Sequence, residues 1–200
     1  MYLLVVDNGP ILSLYKCLKW QYFFETFSKI CGVEFRRLEL AKKEFEKQRG
    51  NIPGIVYVAT EEIENDPDFA YLVAYLNQLK DTCKHERDDV TNKIRCLSEV
   101  DIKQLAYVLL LLDRGCDKFP KYLTEEDVLR KFVRNSKDLE EYFSKIFCST
   151  KDILICYCKK NSNLKKTYHE YLEILKKKGR MLGHLPEPKD CFCCGKRSRF

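Results

Sequence analysis

The run Tyr2-Leu-Leu-Val-Val6 places apolar side chains on both faces of a single short strand and stops at an acid, Asp7, before Asn8-Gly9-Pro10. A strand apolar on both faces has to be covered on both, which points to a parallel sheet between helical layers. The rest of the chain keeps to that plan. Short strands are expected at Val33–Phe35, Ile55–Ala59, Lys121–Leu123 and Asp152–Cys158. Helices are expected over Ile11–Ile30, Leu38–Gln48, a pair carrying the stripe Phe69, Leu72, Val73, Leu76 and Leu79, then "LSEVDIKQLAYVLLLLD", Glu125–Val133, Ser136–Phe147 and Ser162–Lys178. Gly50–Gly54 reads as a turn and His85–Lys93 as a surface loop. Strands alternating with helices predict a three-layer α/β/α domain around a short central parallel sheet.

In such sheets ligands collect outside the carboxyl ends of the strands. Asp7 stands at one of those ends, where an unpaired carboxylate is costly. Carboxylates recur at matching places: Glu44 on the helix after the second strand, Asp101 in the first turn of the most apolar helix, and Glu125-Glu126-Asp127 after the next strand. Acids gathered at one rim raise one another's pKa and need a cation. Hard oxygen donors suit Mg2+ or Mn2+, which polarise a phosphodiester and activate a water. Each acid also has a plainer reading. Ser98-x-x-Asp101 and Thr124-x-x-Asp127 are capping-box spacings, and Glu44 fits an exposed helical ion pair.

The stretches "VVDNGPILSL", "LSEVDIKQLAYVLLLLD" and "YLTEEDVLRKFV" follow one another over residues 2–158. In that order the sequence resembles the PIN-domain ribonucleases, whose motifs read as hydrophobic-Asp-Thr/Ser/Asn-Gly, Ser-x-x-Asp with an apolar helix, and Thr-Asp-Asp or Thr-x-Asp. The resemblance implies a metal-dependent endoribonuclease with catalytic acids at Asp7, Glu44, Asp101 and Glu126; Glu39 and Glu46 are alternatives for the second position. Glu126 stands where the family usually has Asp, and Asp127 follows one step later. The implied Mg2+ or Mn2+ ligands are Asp7, Asp101, Glu126 and Asp127, with Asn8 as the polar neighbour on the substrate side. Within the family the opening and the long helical region look most like the Nob-type branch. That implies a role in small-subunit rRNA maturation, with pre-rRNA in a pre-ribosomal particle as partner. Two other readings stay open: a VapC-like toxin cleaving tRNA or mRNA, and a non-catalytic RNA-binding factor in ribosome assembly, which Glu at the fourth position favours.

Charge supports a polyanionic partner. Residues 151–200 hold 13 Lys and Arg against 5 Asp and Glu, whereas the other 150 hold 23 against 25. Arg36, Arg37, Lys42 and Lys43 near the second acid, with Lys165 and Lys166 in the basic helix, are expected to follow a phosphate backbone. A solvated Lys-rich helix explains the same charge without RNA. The longest apolar run, Leu105–Leu112, is far short of the ~20 residues of a membrane span, and Tyr2–Val6 lacks the basic start of a signal peptide. The expected location is intracellular, in the cytoplasm or the nucleus and nucleolus, with no membrane partner.

Eleven cysteines, an odd number without an export signal, are expected to be reduced. The tail "DCFCCGKRSRF" carries Cys191-x-x-Cys194-Gly, one half of a zinc knuckle. Structural zinc takes four ligands, so Cys193 is an alternative member, and Cys156 with Cys158 or His184 supply the rest if the tail folds back. The expected organisation is a nuclease-like domain over 1–160, a basic helix packed on it over 161–185, and a Cys-rich tail over 186–200.

Overall fold

The structure is a computed structural model that describes residues 2–43, 51–82, 86–87, 94–95, 97–161, 163–188 and 191–194. Its strands are β1 (Tyr2–Val6), β2 (Val33–Leu38), β3 (Ile55–Val58), β4 (Glu86–Arg87), β5 (Ile94–Arg95), β6 (Phe119–Leu123) and β7 (Phe147–Cys148). Five of them form one parallel sheet in the order β3-β2-β1-β6-β7, and β4 pairs β5 in a small antiparallel ladder. Strand β1 is central, as its two apolar faces require. Leu3 and Val5 join one core with Phe69, Leu76, Ile102 and Leu129, while Leu4 and Val6 join the other with Phe23, Phe24, Phe27 and Leu154.

The helices are α1 (Asn8–Ile11), α2 (Phe23–Cys31), α3 (Leu40–Lys43), α4 (Thr60–Glu64), α5 (Pro67–Thr82), α6 (Glu99–Asp113), α7 (Asp127–Asn135), α8 (Glu140–Ile146), α9 (Thr150–Lys160) and α10 (Tyr168–Lys177). Helices α5, α6 and α7 cover the first face; α2 and α9 cover the second, with α10 outside α9. The expected three-layer α/β/α architecture is therefore present.

Several elements differ from the sequence reading: β4 falls inside the segment expected as a surface loop, the basic helix starts at Tyr168 and not at Ser162, and two further differences alter the layers. The segment Asp152–Cys158, expected as the last strand, lies inside α9. A short apolar run is compatible with either element, and a capping box decides it: Ser149 Oγ accepts from the Asp152 amide while Asp152 accepts from the Ser149 amide at 2.8 Å. Burial of Ile153, Leu154, Cys156 and Tyr157 then follows helical spacing. The last strand is instead the two residues before it, Phe147–Cys148.

The helix expected over Ile11–Ile30 is broken. It begins at Asn8, runs through a π-helical stretch, Leu12–Cys17, and stops where Lys19 takes a left-handed conformation (φ 56°). The break lets Trp20 lie against Phe23, Tyr157 and Tyr171, with ring centroids 4.7–5.4 Å apart. At the turn before β3, Gly54 (φ 83°) passes so close to α2 that a Cβ would sit 2.1 Å from the Glu25 nitrogen. Only glycine fits there.

The Ser149 cap makes the register of α9 testable. Ser149→Ala is expected to lower unfolding free energy by about 1 kcal/mol in urea titrations. Asp152→Asn, which keeps an acceptor, is expected to cost less, whereas no loss in Ser149→Ala would contradict the capped helix.

Candidate acidic site at the carboxyl edge of the sheet

The β1–β6 register pairs Val6 with Leu123, and the Asp7 amide continues it by donating to the Leu123 carbonyl at 3.0 Å. Asp7 and Thr124 therefore leave the sheet side by side. The Thr124 hydroxyl donates to Asp7 Oδ2 at 2.9 Å and accepts from the Glu126 amide at 3.0 Å. Asp7 Oδ1 accepts from the Asn8 amide at 2.6 Å, capping α1. Asp7 is 3% exposed, and Thr124 is fully buried. The expected Thr124–Asp127 capping box does not form; Thr124 holds Asp7 instead.

Asp101 arrives from α6. Its capping box with Ser98 is present, with Oδ2 accepting from the Ser98 amide and hydroxyl at 2.9 and 2.8 Å. One turn later on the same face, buried Gln104 donates to the Tyr122 hydroxyl at 3.1 Å. That bond ties the second turn of α6 to β6, one turn from Asp101. The capping role thus orients the acid without using its other oxygen, and Asp101 Oδ1 has no hydrogen-bond partner among the described residues.

Asp101 and Glu126 both lie within electrostatic reach of Asp7. Burial, then the charge of Asp101 and more weakly that of Glu126, push the Asp7 carboxyl up from 3.8 to about 7, although the Asn8 amide and Thr124 hydroxyl oppose this. Tyr122, buried beneath them, is also raised, by burial first and then by Asp7, Asp101 and Glu126. Glu126 is exposed and Asp101 half-buried. Among the described residues no trio of carboxylates brings its oxygens within 4.8 Å of one another. The donor set fits a hard cation that keeps part of its water, as Mg2+ does, better than a dehydrated one. Asp7, Asp101 and Glu126 are the residues that would hold it.

The neighbouring acids go elsewhere. Asp127 pairs with Lys131 one turn on, at 3.2 Å. Glu125 points into the second core, where it accepts from Ser13 at 2.7 Å and also from Thr150 and the Arg180 guanidinium. Arg180 further donates to Ser13 Oγ and the Gly9 carbonyl. Gly9 lies directly under Glu125, 3.0 Å from its Cβ to any side chain added there. His184 Nε2 donates to the Glu125 carbonyl at 2.8 Å. Glu44 and Glu46 lie outside the described residues, and Glu39 is exposed beside Lys42 (3.7 Å).

No protein-family model, curated protein or solved structure matches the chain.

The expected phosphate-binding residues divide. Arg37 is a correction: it is 1% exposed, and its guanidinium donates to Asn8 Oδ1 and to the Ala41 carbonyl (2.6 Å). It orients Asn8 from inside the domain and presents no surface to a nucleic acid. Arg36 binds Glu34 and the Tyr107 hydroxyl, and the Lys42 ammonium lies 4.0 Å from the centre of the Tyr57 ring. The Lys43 side chain lies outside the described residues. Lys165 and Lys166 are exposed, but they precede α10, which starts at the Thr167 cap. With Lys19 and Lys178 they rim a cavity of about 570 Å³ whose floor includes Trp20, Leu164 and Tyr171.

At the C terminus, Cys191 and Cys193 have thiols 3.1 Å apart, and Cys156 joins them within 4.8 Å. The tail thus folds back on α9. The Cys194 side chain, expected as a ligand, lies outside the described residues; Cys158 and His184, the other candidates, lie outside the cluster. Cys17, Cys31, Cys116, Cys148, Cys156, Cys158, Cys191 and Cys193 are all reduced.

Sequence reasoning missed Thr124 as the partner of Asp7, and Gln104 and Tyr122 as the link that places Asp101. A lone glutamine on the buried face of an otherwise apolar helix was the available signal.

The Asp7 shift has a definite sign. With chelator present, the folded state holds the Asp7 proton more tightly than the unfolded chain. Its contribution to stability is complete below about pH 4 and is lost as pH rises through about 7, a change of roughly 4 kcal/mol at most. The difference in unfolding free energy between wild type and Asp7→Asn is therefore expected to shrink and reverse across that window. A difference independent of pH would contradict the buried, charge-coupled carboxyl.

Proposed function

We propose that the protein is a divalent-metal-dependent endoribonuclease acting at Asp7, Asp101 and Glu126, as the PIN-domain resemblance implies. The observation that carries the reading is a buried carboxyl, Asp7, at the carboxyl end of a parallel sheet, within electrostatic reach of Asp101 and Glu126 from two other parts of the chain. A bound cation would offset both the burial of Asp7 and the nearby negative charge. Mg2+ or Mn2+ at these carboxylates supplies charge stabilisation for the phosphate and acidity for the attacking water.

The chain's own residues prepare the site. Thr124 and the Asn8 amide hold both oxygens of Asp7 in place, which reduces reorganisation during reaction. Ser98 orients Asp101 through one oxygen, Oδ2. Arg37 fixes the Asn8 side chain beside Asp7, which we assign to the substrate side. No histidine or cysteine nucleophile is invoked: His184 binds the Glu125 carbonyl, and Cys156, Cys191 and Cys193 cluster with one another.

The substrate class follows from charge and resemblance: RNA, with small-subunit precursor rRNA as the favoured target. Exposed Lys165 and Lys166 support contact with a phosphate backbone. One observation favours a second reading, a non-catalytic RNA-binding factor in ribosome assembly: Asp101 has a complete capping role, and the fourth acid is a longer, exposed Glu126.

A cleavage assay on precursor RNA with Mn2+ separates the two. Asp7→Asn is expected to slow cleavage by at least about a hundredfold, equivalent to ~2.7 kcal/mol in the barrier, while RNA affinity changes little. Retained cleavage in that variant would refute the nuclease site. Binding without any cleavage by the wild type would select the non-catalytic reading.

A further inference from the structure

We propose that Cys31, Cys156, Cys191 and Cys193 form a closed tetrathiolate site for one structural zinc ion, which fastens the C-terminal segment to α2 and α9. The inference is independent of the acidic site.

The four thiols come from three separate parts of the fold. Cys31 is the last residue of α2, where Gly32 (φ 62°) turns the chain away. Cys156 is fully buried in the middle of α9, which packs beside α2 on the same face of the sheet. Cys191 and Cys193 sit at the start of a 3₁₀ turn, with Phe192 between them packed edge-on against Tyr2 of the central strand, 5.2 Å between ring centres. Phe192 anchors the turn so that both flanking thiols face the same point.

Their spacing matches a metal site. The Cys156, Cys191 and Cys193 sulfurs all lie within 4.8 Å of one another, and Cys191 and Cys193 are 3.1 Å apart. Cys31, at the end of α2, lies beside Cys193 and within electrostatic reach of Cys191, outside the group of three, and is the thiol that would complete the shell. Four sulfurs at about 2.3 Å from a tetrahedral zinc are about 3.8 Å from one another, a spacing that Cys156, Cys191 and Cys193 already approach, so that Cys31 is the ligand that has to move in.

Chemistry selects the ion. Thiols are weak donors and weak acceptors, so a cluster of them gains little from its own hydrogen bonds. Soft thiolates favour zinc over Mg2+ or Mn2+. Binding releases four thiol protons to solvent and leaves a core of net charge −2, for which the Lys160 ammonium is the nearby counter-charge acting on Cys31. Four protein ligands leave no open position, so the role is structural.

The consequence is a closed strap. Between α10 and the cysteines the chain is already held by Arg180 on Glu125 and by Glu187 on buried Lys151 (2.5 Å). Zinc secures its far end. It joins the tail to the domain interior and is unlike a self-contained knuckle, because two ligands come from the α/β core.

The test uses the full chain purified without chelator. Elemental analysis is expected to give a single zinc per chain, and cobalt exchange to give the visible bands of a tetrahedral tetrathiolate. Cys31→Ser, Cys156→Ser and Cys193→Ser are each expected to lose the zinc; Cys158→Ser and Cys194→Ser are expected to keep it. Zinc-free protein carrying the mass deficit of a disulfide, or zinc retained in Cys31→Ser, would overturn the proposal. So would loss in Cys194→Ser with retention in Cys193→Ser. If the buried Cys156→Ser variant does not fold, the wild-type cobalt spectrum still decides: fewer than four sulfurs overturns the site.

Discussion

The site depends on the parallel register of β1 against β6. Pairing Val6 with Leu123 makes Asp7 and Thr124 the first residues beyond the sheet on adjacent strands, and their side chains meet in a buried hydrogen bond. A slip of one residue would exchange the two cores of β1 and place apolar side chains where the carboxylate now lies. The acid is costly where it stands, and the fold offsets the cost only in part, through one hydroxyl and one backbone amide. That residual cost is the basis for reading the rim as a cation site.

Much of this was legible in the sequence. Five apolar residues ending in an acid fixed the central strand and its exit, and Ser98-x-x-Asp101 marked the start of the buried helix with an acid in its first turn. The chain did not reveal α9, because "DILICYC" is as apolar as a buried strand and only Ser149 and Asp152, flanking it, carry the helical signal. Nor did it separate Glu125 from Glu126. Adjacent residues in an extended segment point to opposite sides, and which one meets Arg180 is set by contacts 55 residues away in sequence. Arg37 was misread for a similar reason: its charge suggested surface, whereas Asn8 and the Ala41 carbonyl make an internal position tolerable.

The basic C-terminal quarter has two parts with different physics. Arg180 and Lys151 neutralise Glu125 and Glu187 and hold the tail against the domain. Lys165 and Lys166 are exposed and retain their charge for a polyanion, screened by salt. Excess charge in this region therefore overstates the capacity for RNA, since part of it is structural. Among the described residues, no helix is long and apolar enough to cross a membrane.

The central claim is that Asp7, Asp101 and Glu126 act together on one divalent cation. Calorimetric titration with Mn2+ in buffers of different protonation enthalpy tests it most directly, because a carboxyl raised to about 7 is partly protonated near neutrality. The account predicts binding coupled to proton release that grows as pH falls from 8 to about 6, with both binding and release lost in Asp7→Asn. Mn2+ binding that the variant leaves intact, or no binding by the wild type, would contradict it.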